Sequence, residues 1–161
     1  MVVWEAAAAE LSHRVESLMT DLVITVADQV FPARFAFQAA PDTCARFRGL
    51  LPFRERIVHA RWSGEAMWIP MGERDLGLGP ENATSYPAPG QVILYPGGIS
   101  ETEILIAYGP TRFASKAGQL AGNHFATITE GLDRLAAIGR STLWDGAKAV
   151  RFEAGSETTA A

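Results

Sequence analysis

The 161 residues include one cysteine, Cys44, and three histidines, His13, His59 and His124. A single thiol cannot close an internal disulfide, so packing alone must hold the fold and a reducing compartment fits best. Soft ligands are scarce and neither HxH nor CxxC spacing occurs, so no metal is expected. No phosphate-binding glycine loop or G-x-S-x-G nucleophile elbow is present, and no cofactor is expected. Long apolar runs are missing too: nothing approaches the ~18 residues of a membrane span. Glu5, Glu10 and Glu16 fall where a signal peptide would need a basic flank and an uninterrupted apolar core. The expectation is a soluble cytoplasmic protein with no membrane partner. There is no surplus of positive charge either. With 14 Lys and Arg against 18 Asp and Glu, the net charge is -4, too acidic for a broad phosphate-binding face, and no nucleic-acid partner is expected.

Apolar patterning, by contrast, is plentiful. Hydrophobic residues at 48% and charged residues at 20% lie far from the disordered corner of composition space, so one domain with a true core is expected. The stretch Gly90 to Phe113 holds two apolar runs, Val92–Tyr95 and Ile104–Tyr108, joined across Pro96, Gly97 and Gly98, and reads as two central strands. LVITV from Leu22 and VFPARFAF from Val30 form a hairpin broken at Ala27–Gln29, with Pro32 marking an edge or bulge. Pro41 and Asp42 open a helix that puts Cys44, Phe47 and Leu51 on one face and ends at Pro52.

Glu55 to Met71 is a second hairpin. A two-residue turn at Ser63 and Gly64 sets His59 opposite Trp68, with Val58, Ala60, Trp62, Met67 and Ile69 on the core face and His59, Arg61, Ala66 and Trp68 on the other. Gly72 to Pro89 is a long irregular loop. A strand at Phe125–Ile128, a helix at Glu130–Ile138 with Leu132, Leu135 and Ile138 inward and Gly139 as its stop, and a strand at Lys148–Phe152 complete the order. These elements predict a mainly β fold, a closed antiparallel barrel over residues 21–153 capped by two helices. Residues 1–20 form an N-terminal extension with helical spacing, and residues 154–161 a disordered tail.

Two segments resemble cyclophilins: LVITVADQVFPARFAFQAAPDTCARFRGLLPF their opening hairpin and first helix, and HFATITEGLDRLAAIG their late strand and second helix. The middle, HARWSGEAMWIPMG and GQVILYPGGISETEILIAYG, is more similar to a bacterial family of uncharacterised proteins with a cyclophilin-like barrel. The resemblance implies an eight-stranded cyclophilin-like β-barrel. It also argues against prolyl isomerase activity. Arg61 can stand for the family's strand arginine, but SGEAMWIP replaces the loop after it, and Glu103, Leu105, Ala117 and Gly122 fall where a glutamine, a phenylalanine, a tryptophan and a histidine are expected.

The candidate ligand-binding residues are His59, Arg61 and Trp68 on the non-core face of the second hairpin, Glu103 and Leu105 on a central strand, and His124 beside the late strand. Such a groove suits a small organic anion or a peptide terminus, because arginine grips a carboxylate bidentately while an aromatic wall excludes water. Its bland counterpart is an Arg61–Glu103 cross-strand ion pair with Trp68 covered by a loop or subunit. Glu81 and Asn82 in the long loop are placed to reach over the groove. The cluster Arg46, Arg48, Arg54, Arg56 and Arg61 either steers an anion or is a solvated face. Three functions are consistent with these residues: a binding protein, acting as a homo-oligomer; a lyase or isomerase of small carboxylates using Glu103 or His124 for proton transfer; or an assembly module burying Trp68 and Leu105 against a partner.

Overall fold

A computed structural model describes residues 6–8 and 20–156. Residues 6–8 are helical, and the remaining expectations for the N-terminal extension, with that for 157–161, fall outside the described residues. Strands β1 (Leu22–Val26), β2 (Gln29–Phe35), β3 (Phe53–His59), β4 (Gly64–Pro70), β6 (Gln91–Tyr95), β7 (Glu103–Thr111), β10 (Gly122–Ile128) and β11 (Lys148–Ala154) form a closed antiparallel 8-strand barrel. Their order is β2-β1-β11-β3-β4-β7-β6-β10, and the β2–β10 pairing closes the ring. Short strands β5 (Ala83–Thr84), β8 (Ala114–Ser115) and β9 (Gly118–Gln119) lie in the connections, and helices α1 (Pro41–Arg48) and α2 (Leu132–Asp145) pack on the barrel.

Alternation along the strands places the core as the sequence pattern requires. Val92 and Leu94, with Ile104, Ile106 and Tyr108, point into the barrel, where Phe47 of α1 packs edge-on or tilted against Phe53, Phe125 and Phe152. Cys44 on the same helix is fully buried, its thiol directed at the Phe125 carbonyl, and burial pushes it up to about 12, so it behaves as a packed hydrophobe. Pro32 lies just beyond the β2–β10 ladder, which ends at Ala33, so its missing amide costs that ladder nothing.

β6 and β7 are apolar on both faces for a reason the alternation alone does not supply. Outside the barrel, Ile93, Tyr95 and Leu105 join Ala60, Ala66, Phe113 and Leu120 in a second cluster under the β8–β9 hairpin, with Trp68 at its edge. The central sheet is thus roofed on its outer side, and the site described below lies beside that roof.

Three expectations are corrected. The second hairpin is slipped by one residue: His59 pairs with Met67 and Val58 with Trp68, because residues Arg61–Ser63 form a turn of 3-10 helix instead of a two-residue bend. α2 runs through Gly139 to Asp145, and Leu132 is 43% exposed. Gly139 is buried mid-helix because the Tyr108 ring lies directly on it; a Cβ there would overlap Tyr108 Cδ1. The last strand extends to Ala154, where a tail was expected to begin.

Candidate functional site

The β4–β7 register sets Trp68 opposite Leu105 and Pro70 opposite Glu103, so Trp68 and Glu103 are diagonal neighbours on the outer face of the barrel. They line a cleft of about 590 Å³ with Trp62, Ile99, Ser100, Glu101, Ser115, Lys116 and Ala117. That volume lies within the usual range for small-molecule sites. Trp62 stands edge-on to Trp68, with ring centroids 5.3 Å apart and planes at 82°. The Pro96–Ser100 wall is fixed by the Tyr95 hydroxyl, which accepts hydrogen bonds from the amides of Ile99 (3.0 Å) and Ser100 (3.4 Å). Gly97 and Gly98, at φ 91° and 117°, let the chain turn tightly enough to reach it. Glu101 is held by the Gly72 amide at 2.9 Å.

Two residues of this cleft each carry a buried polar atom with no partner within the protein. Glu103 is 4% exposed, and its Oε1 is buried without a hydrogen bond. Trp68 Nε1 is buried in the same condition. Buried polar groups are nearly always satisfied, and one that is not calls for an ordered water, an ion or a role. Burial raises Glu103 to about 7, with the neighbouring Glu101 carboxylate adding to the effect. Near neutral pH, the protonated and ionised forms of Glu103 are therefore both populated.

The other expected site residues lie elsewhere. With the register slip, His59 turns away from Trp68 and toward Tyr108, whose hydroxyl lies 2.7 Å from its Nε2 beneath α2. His59 is shifted down by burial and further by Arg61, and its buried Nδ1 has no partner. Arg61 is exposed on the 3-10 turn, and no Arg61–Glu103 ion pair forms. Leu105 is 1% exposed, sealed under the outer cluster beside Trp68. His124, on β10, bonds Thr127 Oγ1 at 2.7 Å and is shifted down by burial. Glu81 does not reach over the cleft but accepts hydrogen bonds from the Asp42 and Thr43 amides of α1, and Asn82 donates to the His124 carbonyl. Among the described residues, no three His, Cys, Asp or Glu side chains converge as a metal site. No described helix is long and apolar enough to cross a membrane.

Of the six candidates, the structure brings Trp68 and Glu103 together in the cleft, with Leu105 directly behind them. Sequence reasoning missed Trp62, which it assigned to the core but which is 52% exposed, and also Ile99, Lys116 and the Tyr108 partner of His59. Trp62 could have been found from the alternation alone had the turn been read as longer. Lys116 comes from a hairpin that pairs with no barrel strand and carries no sequence signal.

A family model described as "Protein of unknown function (DUF3830)" matches residues 22–154. Among solved structures, McbB, determined in complex with tryptophan, superposes with a TM-score of 0.66 at 19% identity over 87% of this chain. The chain spans about half of McbB, 46% of its length. The hypothetical protein AF2241 from Archaeoglobus fulgidus, a solution structure, superposes with a TM-score of 0.55 at 14% identity, over 84% of this chain and 95% of that one. At such identities the likeness is one of fold. No curated protein matches the sequence.

Proposed function

The chain belongs to the DUF3830 family of proteins of unknown function, and we propose that it is a cyclophilin-like barrel that binds a small organic molecule in the Trp62–Trp68–Glu103 cleft. The observation that carries this reading is the pair of unpartnered buried atoms, Glu103 Oε1 and Trp68 Nε1, which belong to two residues lining a single cleft. Leaving each unsatisfied costs about 1–3 kcal/mol. A folded chain tolerates that most readily where a ligand makes the missing bonds. McbB supports the reading in a general way, as a protein of this fold solved with a small zwitterion.

The organic anion or peptide terminus suggested by the sequence keeps its place with a different grip. Lys116 and the Trp68 N–H take over the role first given to Arg61. Proline isomerisation is disfavoured, since Arg61 stands on a turn and does not line the cleft, and by the resemblance to cyclophilins the positions of their other catalytic groups hold Glu103, Leu105, Ala117 and Gly122. The cytoplasmic homo-oligomer remains part of the proposal. The exposed apolar side chains of Val30, Leu132 and Trp144 support the oligomer alone.

The test is ligand-induced thermal stabilisation. A binder of the wild type should lose its effect in Trp68→Ala while the variant still unfolds cooperatively, and an equal shift in both proteins would remove the cleft from consideration. A second reading, a lyase or isomerase of small carboxylates, is favoured by one observation: a carboxyl raised to about 7 against an indole is suited to general acid–base work at neutral pH. It requires turnover whose pH profile changes in Glu103→Gln, and an unchanged profile would exclude Glu103 as the proton-transfer group.

A further inference from the structure

We infer that the ligand of the Trp62–Trp68–Glu103 cleft carries a cationic amine beside a hydrogen-bond-accepting oxygen, as an α-amino acid or an amino-terminal residue does, together with an apolar side chain. This rests on the reading of the cleft as a ligand site and narrows its chemistry. Glu103 Oε1 can only accept while ionised, and Trp68 Nε1 can only donate. The two residues occupy diagonal positions on neighbouring strands of one face, a separation of about 7–8 Å that a small molecule can bridge. Glu101 is close enough to act on Glu103, and the two carboxylates line the same cleft as the indoles of Trp62 and Trp68. Carboxylates and the faces of indoles both favour an ammonium.

Two other groups that line the cleft have the opposite demand. The unpartnered Trp68 N–H requires an acceptor oxygen, and the exposed Lys116 supplies positive charge. A plain organic anion would satisfy Trp68 and Lys116 but set one carboxylate against another at Glu103. A plain amine would satisfy Glu103 and leave the indole N–H without a partner. An ammonium next to a carboxylate or carbonyl meets both. Ile99, 73% exposed on the wall fixed by Tyr95, offers an apolar surface to the side chain.

The experiment is calorimetric titration of the full chain with the free amino acids, followed by the des-amino and decarboxy counterparts and the amide of the best binder. For phenylalanine these are 3-phenylpropionate, phenethylamine and phenylalaninamide. The intact amino acid should bind at least tenfold more tightly than either truncated compound. Glu103→Gln should erase the advantage over the des-amino acid by weakening the amino acid and strengthening the des-amino acid, which no longer meets a second carboxylate. An amide that binds as well as the parent points to an amino-terminal residue, and a weaker one to a free amino acid; both support the inference. A des-amino or decarboxy compound that matches its parent would overturn the inference, and the cleft itself would stand provided Trp68→Ala abolishes that binding. Binding undiminished in Trp68→Ala, or no binding by any compound of the series, would overturn both.

Discussion

Glu103→Gln removes a carboxyl that is held at about 7 in the folded chain against 4.5 ordinarily, and the consequence for stability can be worked through. Between those values the folded protein binds a proton that the unfolded chain releases. The stabilising contribution of Glu103 is therefore complete below about pH 4.5 and is lost as pH rises through about 7, above which the group is a buried charge. At 1.36 kcal/mol per pKa unit the full change comes to about 3 kcal/mol, and we take roughly 2–3 kcal/mol because the cleft admits solvent on one side. Glutamine keeps the shape and the acceptor oxygen without the charge. Urea denaturation of both proteins at pH 5 and pH 8.5 should show the variant gaining roughly 2–3 kcal/mol relative to wild type at the higher pH. For a domain of this size that is a rise of about 4–12 °C in melting temperature. His59 and His124, both shifted down by burial, act the other way: their contribution is lost as pH falls below 6.5, equally in both proteins, so it cancels in the difference. Parallel stability profiles for the two proteins across pH 5 to 8.5 would refute the placement of an ionisable, unpaired carboxyl in this cleft.

Other substitutions test the packing around it. Gly139→Ala should destabilise the protein by about 1–3 kcal/mol by chemical denaturation, since overlap with the Tyr108 ring outweighs the better helix propensity of alanine. Tyr108→Phe removes the partner of His59 Nε2 and should cost about 1–2 kcal/mol, while ligand binding in the cleft on the outer face stays unchanged, as a thermal-shift comparison would show. Glu81→Ala withdraws the acceptor from the Asp42 and Thr43 amides and should cost about 1–2 kcal/mol, read as faster amide exchange at the start of α1.

The barrel was legible because strand alternation and turn residues are local signals. Val92 and Leu94 inward with Ile93 and Tyr95 outward follow from a period of two, and Pro41 opens α1 where proline costs nothing. The candidate site was legible only in part, because a site depends on register. Ser63 and Gly64 resemble a two-residue hairpin turn, yet the Ser63 amide bonds the Ala60 carbonyl and the Ala60 amide bonds the Ala66 carbonyl, closing a longer loop. One residue of slip sent His59 beneath α2 and left Trp62 free to face Trp68. The α2 boundary failed for a different reason: Gly139 looks like a helix stop in sequence, and only the long-range approach of Tyr108 explains a glycine in the middle of the helix.

The central claim is that the outer cleft between Trp62, Trp68 and Glu103 is where this protein holds a small molecule. The chain has four tryptophans, so its nitrogen-15 NMR spectrum contains four indole N–H signals, assignable with Trp68→Phe and its counterparts. On titration with a mixture of free amino acids, the Trp68 signal should move as its orphan N–H gains an acceptor, with Trp62 following and the exposed Trp144 on α2 stationary. A Trp68 signal that stays in place at saturating concentrations, or movement confined to Trp144, would contradict the account.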